Sequence, residues 1–400
     1  MKIFCLNSSD QQVFVQRLKV FFETSQSLVL LNSQWGEHEC NQVRQILDKS
    51  ANLSDDLFND ETTEIDLSFS TEIPTPIYLI PTGGTSGKIK FAVHNFATLA
   101  ASVAGFREFF ELDRVHCFCV LPLYHVGGLM QWWRSQLSGG QFYLGNYGEL
   151  KRGILPEGDF GDFCLSLVPT QLQVLLDVCP QWLQQFRLVL VGGAPSWRSL
   201  LTQARAANIR IALTYGMTET ASQVIALKPE DFLAGKDCAG QVLPHADVQV
   251  DQGGLISIGA KSLFFGYFPQ INQPQRLVTD DLGYFDEASF LQIVGRQSQK
   301  IISGGENIYP TEIEAVIRGT GLVQDVAVCG LPDAYWGERV TAVLVLRSGV
   351  TLAALQGAIA DQLSRYKIPK KWCCVAALPR NAQGKLNQTI LRAMIEKDYR

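Results

Sequence analysis

The stretch Ile77-Tyr78-Leu79-Ile80-Pro81-Thr82-Gly83-Gly84-Thr85-Ser86-Gly87-Lys88-Ile89-Lys90 decides how this 400-residue chain is read. A short apolar run of buried-strand character opens into three glycines, three hydroxyl side chains and two lysines. Glycine admits backbone angles that let successive N–H groups converge on an anion, while the hydroxyls and ammonium groups add donors and charge. A loop that holds a triphosphate needs those properties. A Walker A loop is excluded, because it requires Gly where Thr82 stands and Ser or Thr where Ile89 stands. An ordinary Gly/Ser turn between strands fits the composition as well.

Outward from this loop the texture repeats. The runs 117–121, 164–168, 188–191 and 209–213 are apolar and end in Gly, Pro or Thr, and helical stretches such as 97–110 and 170–178 follow several of them. Buried strands alternating with helices imply a largely parallel α/β sheet with its ligands at the carboxyl ends of strands. Beyond Gln241 the pattern becomes β-rich, at 248–250, 255–258 and 290–294. After Gly295-Arg296 a smaller α+β unit is expected: helix 311–317, strands 323–328 and 340–346, helix 352–363, then a turn-rich end. We place a domain boundary near Ser298, giving a large unit over 1–297 and a small one over 298–400. The first 75 residues are polar and weakly periodic, with amphipathic helices expected at 12–22 and 39–47.

At 400 residues two or three domains are expected. The 46% hydrophobic and 18% charged residues exclude a disordered, collagen-like or coiled-coil chain. A net charge of −5 offers no electrostatic footprint for nucleic acid. No apolar run approaches the roughly twenty residues of a membrane span, and Met1–Leu6 gives way to Asn7-Ser8-Ser9-Asp10 too early for a signal peptide. A soluble, cytoplasmic protein without nucleic-acid or membrane partners is expected. The ten cysteines show no C-x-x-C and mostly sit in apolar runs, so they read as reduced and buried. His38, His94, His116, His125 and His245 are scattered without ligand spacing.

Thr82-x-Gly84-Thr85-Ser86-Gly87-x-x-Lys90 resembles the phosphate loop of the adenylate-forming enzymes, a superfamily that includes acyl-CoA ligases and luciferases. Further motifs follow in the family's order. Thr214-Tyr215-Gly216-Met217-Thr218-Glu219-Thr220 resembles the adenine and magnesium motif: Tyr215 can stack on a purine, Thr218 can donate to a phosphate, and Glu219 can hold a hard cation. On residue type alone, Glu219 is equally a carboxylate at a helix N-terminus. Gly192-Gly193-Ala194 is similar to the segment lining the adenine and acyl pocket. Thr279-Asp280-Asp281-Leu282-Gly283 resembles the Thr-Gly-Asp motif, with Asp281 as the ribose-binding carboxylate and Asp280 in place of the Gly. Arg296 matches the arginine before the domain hinge, and Ser298 stands where the family usually has Asp or Lys. Leu378-Pro379-Arg380-Asn381-Ala382-Gln383-Gly384-Lys385 resembles the segment carrying the catalytic lysine, although an isolated Lys would read as a surface residue. The resemblance covers 76–400, and it implies that 1–75 belong to a trimmed N-terminal subdomain.

The resemblance implies a large N-terminal domain with mostly parallel sheets flanked by helices plus a β-rich subdomain, and a small mobile C-terminal domain. It also implies ATP, Mg²⁺ and coenzyme A. A carboxylate attacks the α-phosphate of ATP, pyrophosphate leaves, and a thiol then displaces AMP. Lys385, Thr218, Glu219 and His125 would serve the chemistry. Thr82, Gly83, Gly84, Thr85, Ser86, Gly87, Lys90, Gly193, Ala194, Tyr215, Gly216, Met217, Asp281 and Arg296 would hold the nucleotide. For the thiol step the small domain would turn about Ser298 and bring Gly304, Gly305 and Glu306 to the coenzyme A arm. Those residues equally read as a loop before a helix at Thr311.

Leu121-Pro122-Leu123-Tyr124-His125 resembles the acyl-pocket motif. The downstream Trp133-Arg134, the segment Ser303-Gly304-Gly305-Glu306-Asn307-Ile308-Tyr309-Pro310 and Thr218-Glu219-Thr220-Ala221-Ser222-Gln223 look most like the branch that activates an aromatic dicarboxylate for menaquinone and phylloquinone synthesis. Such an acid needs a cation or polar donors for its second carboxylate, for which Arg134, Ser222 and Gln223 are candidates. Arg134 could also be a surface or core-capping residue. Other readings are another aryl- or acyl-CoA ligase, a module loading a carrier protein, or a non-enzymatic nucleotide binder. Homo-oligomerisation is left open.

Overall fold

The computed structural model describes residues 1–48, 55–58, 62–69, 72–83, 88–380 and 386–398. Four sheets form among them. The first runs in the order Tyr267–Phe268, Ile89–Asn95, Ile77–Gly83, Leu28–Leu30, Lys2–Leu6, Thr63–Asp66. It is mixed: Ile77–Gly83 is parallel to Leu28–Leu30 but antiparallel to Ile89–Asn95. The glycine-rich stretch therefore joins two paired strands, with Thr82 opposite Lys90 and Gly83 opposite Ile89. The first 75 residues supply three strands of this same sheet. At three to five residues each, they are too short for hydrophobic period to reveal. The two N-terminal helices do form, as Gln11–Glu23 and Glu37–Asp48.

The second sheet follows the expected parallel pattern. Phe142–Leu144, His116–Cys119, Phe163–Leu167, Leu188–Val191 and Ile211–Met217 are parallel neighbours, and then Ser222–Ala226 and Gln241–Val242 add antiparallel strands. Helices Phe96–Phe110 and Val126–Ser138 pack against these first two sheets, burying Leu99, Val103, Trp132 and Trp133 with Tyr78, Ile80, Leu28 and Cys119. Trp133 meets Tyr78 and Phe22 edge-on, with ring centroids 5.2 Å apart in each pair. Side chains of that size typically dominate the apolar area a core removes from water.

The β-rich stretch forms a four-stranded antiparallel sheet of Ala246–Val250, Leu255–Ala260, Leu277–Phe285 and Leu291–Arg296. The motif around Asp281 thus lies within a strand. Residues after Ile301 build a separate sheet, ordered Glu306–Ile308, Ile301–Ser303, Gly337–Leu346, Val323–Asp333, with Lys371–Cys374 paired to Gly337–Leu346. Its helices, Pro310–Gly319 and Leu352–Ile359, cover a core of Ile313, Ile317, Val328, Val340, Leu344 and Leu355. The first of these helices starts at Pro310, one residue before Thr311, because proline's fixed φ suits the first helical position. All ten cysteines are free thiols, with only Cys374 exposed and Cys40 half-buried. Among the described residues no helix is long and apolar enough to cross a membrane.

Candidate active site

The site is organised around the turn between the antiparallel strands Ile211–Met217 and Ser222–Ala226. A bulge at Tyr215/Gly216 breaks their ladder. A Cβ on Gly216 would lie 2.1 Å from the Ser222 carbonyl oxygen, so only glycine fits there. The chain then makes a short 3₁₀ turn, Thr218–Thr220, and enters two left-handed positions, Ala221 at φ 50° and Ser222 at φ 88°. Non-glycine residues are rarely held there without strong surrounding contacts.

Those contacts reach every carbonyl of the turn. The Thr218 oxygen accepts from His94 Nε2 at 2.8 Å and Glu219's from the Phe264 N–H at 2.9 Å. The Thr220 oxygen accepts from Ser262 Oγ at 2.8 Å and Ala221's from Ser102 Oγ at 2.6 Å. His94, at the end of Ile89–Asn95, is fully buried, and desolvation lowers its pKa to about 4. It is therefore neutral at pH 7. Since Nε2 carries the proton, Nδ1 accepts from Thr98 Oγ1 at 3.0 Å. Thr98 and Ser102 stand on helix Phe96–Phe110, which Asn95 starts with a capping box. A strand that passes directly into a helix thus supplies two of the groups holding the turn, His94 and Ser102, and a third, Thr98, that holds His94.

From this framework the functional side chains radiate in three directions. Toward the glycine-rich loop, the buried Glu219 carboxylate accepts the Tyr267 hydroxyl at 2.6 Å, and the Lys90 ammonium lies 4.6 Å from the Tyr267 ring centroid. Toward the four-stranded sheet, the Tyr215 hydroxyl donates to Asp281 Oδ2 at 2.9 Å, and Arg296 Nε donates to Asp281 Oδ1 at 3.0 Å. Asp281 and Arg296 are direct cross-strand partners, which places the guanidinium on the carboxylate. Burial, with Asp281 alongside, pushes the Tyr215 phenol well above its usual range and keeps it a donor. Toward the first core, Arg134 Nη2 donates to Gln223 Oε1 at 2.6 Å and Ser222 Oγ at 3.2 Å, with its guanidinium 4.3 Å from the Phe106 ring centroid.

Arg134 is 2% exposed, and no carboxylate lies within ion-pair distance among the described residues. Desolvation lowers its pKa. His245, whose two ring nitrogens are buried without hydrogen-bond partners, lies close enough to Arg134 for mutual repulsion and is pushed down to about 4, chiefly by burial. A buried guanidinium with only dipoles and a ring for company is poised for an anion.

The remaining expected residues fall as follows. Gly192, Gly193 and Ala194 leave the strand Leu188–Val191 beside Thr214; Gly193 has φ +78°, and a Cβ on Gly192 would meet Thr214 Oγ1 at 2.3 Å. His125 precedes helix Val126–Ser138, nine residues and about 2.5 turns before Arg134. Ser298 lies in a short 3₁₀ turn, Gln297–Gln299; its N–H donates to Asp280 Oδ1 at 3.0 Å and its hydroxyl to Oδ2. Asp280, where the family has Gly, therefore sits in the strand and ties down the residue after Arg296-Gln297. Gly304 and Gly305, at φ +60° and +84°, form a two-residue hairpin turn between Ile301–Ser303 and Glu306–Ile308. That hairpin is seated on Trp336, whose carbonyl accepts the Gly304 N–H at 2.8 Å. Gly84, Thr85, Ser86, Gly87 and Lys385 lie outside the described residues. On either side of 381–385, Arg380 and Leu386 form a bridge, and Arg380 pairs with Asp325, Nη2 to Oδ1 at 2.8 Å.

Tyr267, His94, Phe264, Ser102 and Ser262 escaped sequence reasoning. His94 was visible only as one of five scattered histidines, and the other four belong to no motif read from the chain.

The fold and the loop-plus-turn site define an adenylate-forming enzyme. Residues 3–267 match the family model described as AMP-binding enzyme, and residues 312–385 match that of its C-terminal domain. The chain belongs to the AMP-binding enzyme family and is an AMP-forming acid–thiol ligase. It is 34% identical over 324 residues to the 2-succinylbenzoate–CoA ligase of Enterococcus faecalis, covering 76% of this chain and 67% of that relative. The o-succinylbenzoate CoA synthetase (MenE) from Bacillus subtilis in complex with the acyl-adenylate intermediate OSB-AMP superposes with a TM-score of 0.81 at 27% identity, covering 97% and 87% of the two chains. A double mutant of that synthetase bound to the product analogue OSB-NCoA superposes with a TM-score of 0.61, also at 27% identity, over 99% and 88%.

Proposed function

We propose that this enzyme adenylates 2-succinylbenzoate with ATP and passes the acyl group to coenzyme A, in menaquinone or phylloquinone synthesis in the cytoplasm. The observation that carries the choice of acid is Arg134. An acid with one carboxylate has no use for a buried, uncompensated guanidinium, whereas a dicarboxylate brings the missing charge. Ser222 and Gln223 would share that second carboxylate, with His125 toward the reacting one.

The geometry supports the nucleotide roles that the resemblance implies. Thr82, Gly83 and Lys90 flank the loop 84–87 that would hold the phosphates, with Gly84, Thr85, Ser86 and Gly87 as its own residues. Asp281, fixed by Tyr215 and Arg296, would take the ribose hydroxyls. Gly193, Ala194, Gly216 and Met217 would line the adenine side, and Thr218 would donate to phosphate. Glu219 fits a magnesium ion: one oxygen is held by Tyr267, the other has no hydrogen bond among the described residues, and the carboxylate is a hard oxygen donor. No group of three His, Cys, Asp or Glu side chains among the described residues could hold a metal alone, so phosphate oxygens and water would complete the shell. Magnesium there would neutralise developing charge on the phosphates.

Lys385 would bring its ammonium to the attacking carboxylate and α-phosphate. The small unit, 298–400, would then turn about Ser298 for the thiol step, with Gly304, Gly305 and Glu306 serving the coenzyme A arm. The higher TM-score to the acyl-adenylate complex than to the product-analogue complex supports an adenylation arrangement here. The test is pyrophosphate release with ATP and magnesium across 2-succinylbenzoate, benzoate, 4-coumarate, acetate and a medium-chain fatty acid, with and without coenzyme A. Preference for succinylbenzoate, with thioester only when coenzyme A is present, is expected. Preference for a monocarboxylic acid refutes the assignment.

A further inference from the structure

We propose that Tyr267 is a positioning residue of the adenylation half-reaction, holding the Glu219 carboxylate with its hydroxyl and seating the Lys90 ammonium on its ring. The proposal deepens the function given above and rests on it. It stands on three observations from three separate parts of the chain.

Glu219 is 8% exposed, yet no Lys or Arg pairs with it among the described residues. Among the described residues its only side-chain hydrogen-bond partner is the Tyr267 hydroxyl, at 2.6 Å to Oε1. That is the length of a charge-assisted O–H···O⁻ bond, stronger than one between neutral groups. A carboxylate gripped on one oxygen keeps its second oxygen in a fixed direction for a cation.

The ring of the same residue serves the other end of the site. Lys90, exposed on the strand leaving the glycine-rich loop, places its ammonium 4.6 Å from the ring centroid. One side chain therefore spaces the loop's cation from the carboxylate that would share the same phosphates with it. Without such a spacer, Lys90 and Glu219 could pair directly and neutralise each other. Tyr267 is itself immobilised. Its strand pairs with Ile89–Asn95, Tyr267 opposite Ala92, and Phe264 packs edge-on at 4.9 Å while its own N–H holds the Glu219 carbonyl. The segment 264–267 thus grips Glu219 by backbone and side chain together.

The test uses Tyr267→Phe in the full-length enzyme, which removes the hydroxyl and keeps the ring. Mn²⁺ binding to the enzyme–ATP complex is followed by electron paramagnetic resonance, beside the Mg²⁺ dependence of pyrophosphate release. Mn²⁺ affinity and half-saturating Mg²⁺ are expected to worsen on the order of tenfold, as for other residues that orient a metal ligand. At saturating Mg²⁺, kcat recovers to near wild type, and thioester formation from supplied acyl-adenylate is unchanged. The variant is also combined with Glu219→Gln: if the hydroxyl acts through Glu219, Tyr267→Phe costs no further metal affinity in that background. Unchanged metal affinity in Tyr267→Phe, or full additivity with Glu219→Gln, overturns the proposal. Wild-type enzyme whose ATP complex binds no Mn²⁺ would instead bring down the functional reading beneath it.

Discussion

The carboxylate of Asp280 closes on Ser298, accepting its backbone N–H at 3.0 Å and also its hydroxyl. At both residues a motif read from the sequence departs from the family resemblance, which has a Gly in one case and an Asp or Lys in the other. Paired, they fasten the residue about which the small unit would rotate. Rotation at Ser298 would require both bonds to open.

Removing the fastening is expected to favour the thiol step over the first. Both bonds are solvent-exposed, so each contributes about 1 kcal/mol or less. In single-turnover measurements Asp280→Ala should slow adenylation roughly two- to fivefold and leave thioester formation from supplied acyl-adenylate equal or faster. Ser298→Ala, which retains the N–H bond, should show a smaller effect. Equal slowing of both half-reactions by Asp280→Ala would mean that the contact is not a hinge fastening.

Arg134 is the test of the acid. Loss of a charge-assisted contact to a carboxylate typically costs about 1.5–3 kcal/mol, or roughly ten- to a hundredfold. Arg134→Ala should raise the KM for 2-succinylbenzoate by that order, and the KM for a monocarboxylic acid far less. Comparing two acids on one variant cancels any general damage from emptying a buried position. An equal rise for both acids removes Arg134 from substrate recognition.

Much of this was legible beforehand. Lys90, Tyr215, Glu219, Asp281 and Arg296 lie in short motifs whose residue types announce anion, cation and ribose chemistry; Tyr267 stands between Lys90 and Glu219, and Tyr215 and Arg296 both bond Asp281. The residues that hold them were not legible, for a physical reason. His94 is 124 residues from Thr218, Ser102 is 119 from Ala221, and Tyr267 is 48 from Glu219. Hydrophobic period and motif spacing report neighbours within a strand or helix, whereas these contacts arise from the packing of one sheet on another. The mixed order of the first sheet was hidden for a related reason: Leu28–Leu30 is three residues long, and alternation needs more to be seen.

Acid should find this fold through its buried histidines. His94 and His245 are each depressed to about 4 from an ordinary 6.5, in both cases mainly by burial. A depressed folded pKa means that the unfolded chain takes up the proton first. The stability these neutral rings allow is thus intact above pH 6.5 and drains as pH falls toward 4. Between pH 7 and 5 each should remove on the order of 2 kcal/mol from the free energy of unfolding. Denaturant titrations at the two pH values should show the loss, and His94→Gln should shrink it by about half. A pH difference identical in wild type and His94→Gln would show that His94 does not titrate as its burial requires.

The last prediction concerns the loop that carries Lys385. Lys385→Ala should abolish adenylation while largely sparing thioester formation from supplied acyl-adenylate, because the ammonium is needed only where charge develops on the α-phosphate; such a loss is on the order of 10²–10³ in rate. Arg380 extends the argument. Its guanidinium grips Asp325, with Nε to Oδ2 at 2.5 Å and Nη2 to Oδ1 at 2.8 Å, and Asp325 also lies 3.7 Å from Arg318, which pairs with the half-buried Glu314 at 3.3 Å. This chain of charges ties Arg380, the last described residue before 381–385, to the strand Val323–Asp333 and the helix Pro310–Gly319. Arg380→Ala, with Lys385 intact, should therefore impair adenylation by a smaller factor, around tenfold, and again leave the thiol step alone. A variant that loses both half-reactions together would show that Arg380 supports the fold of the small unit and not the delivery of Lys385.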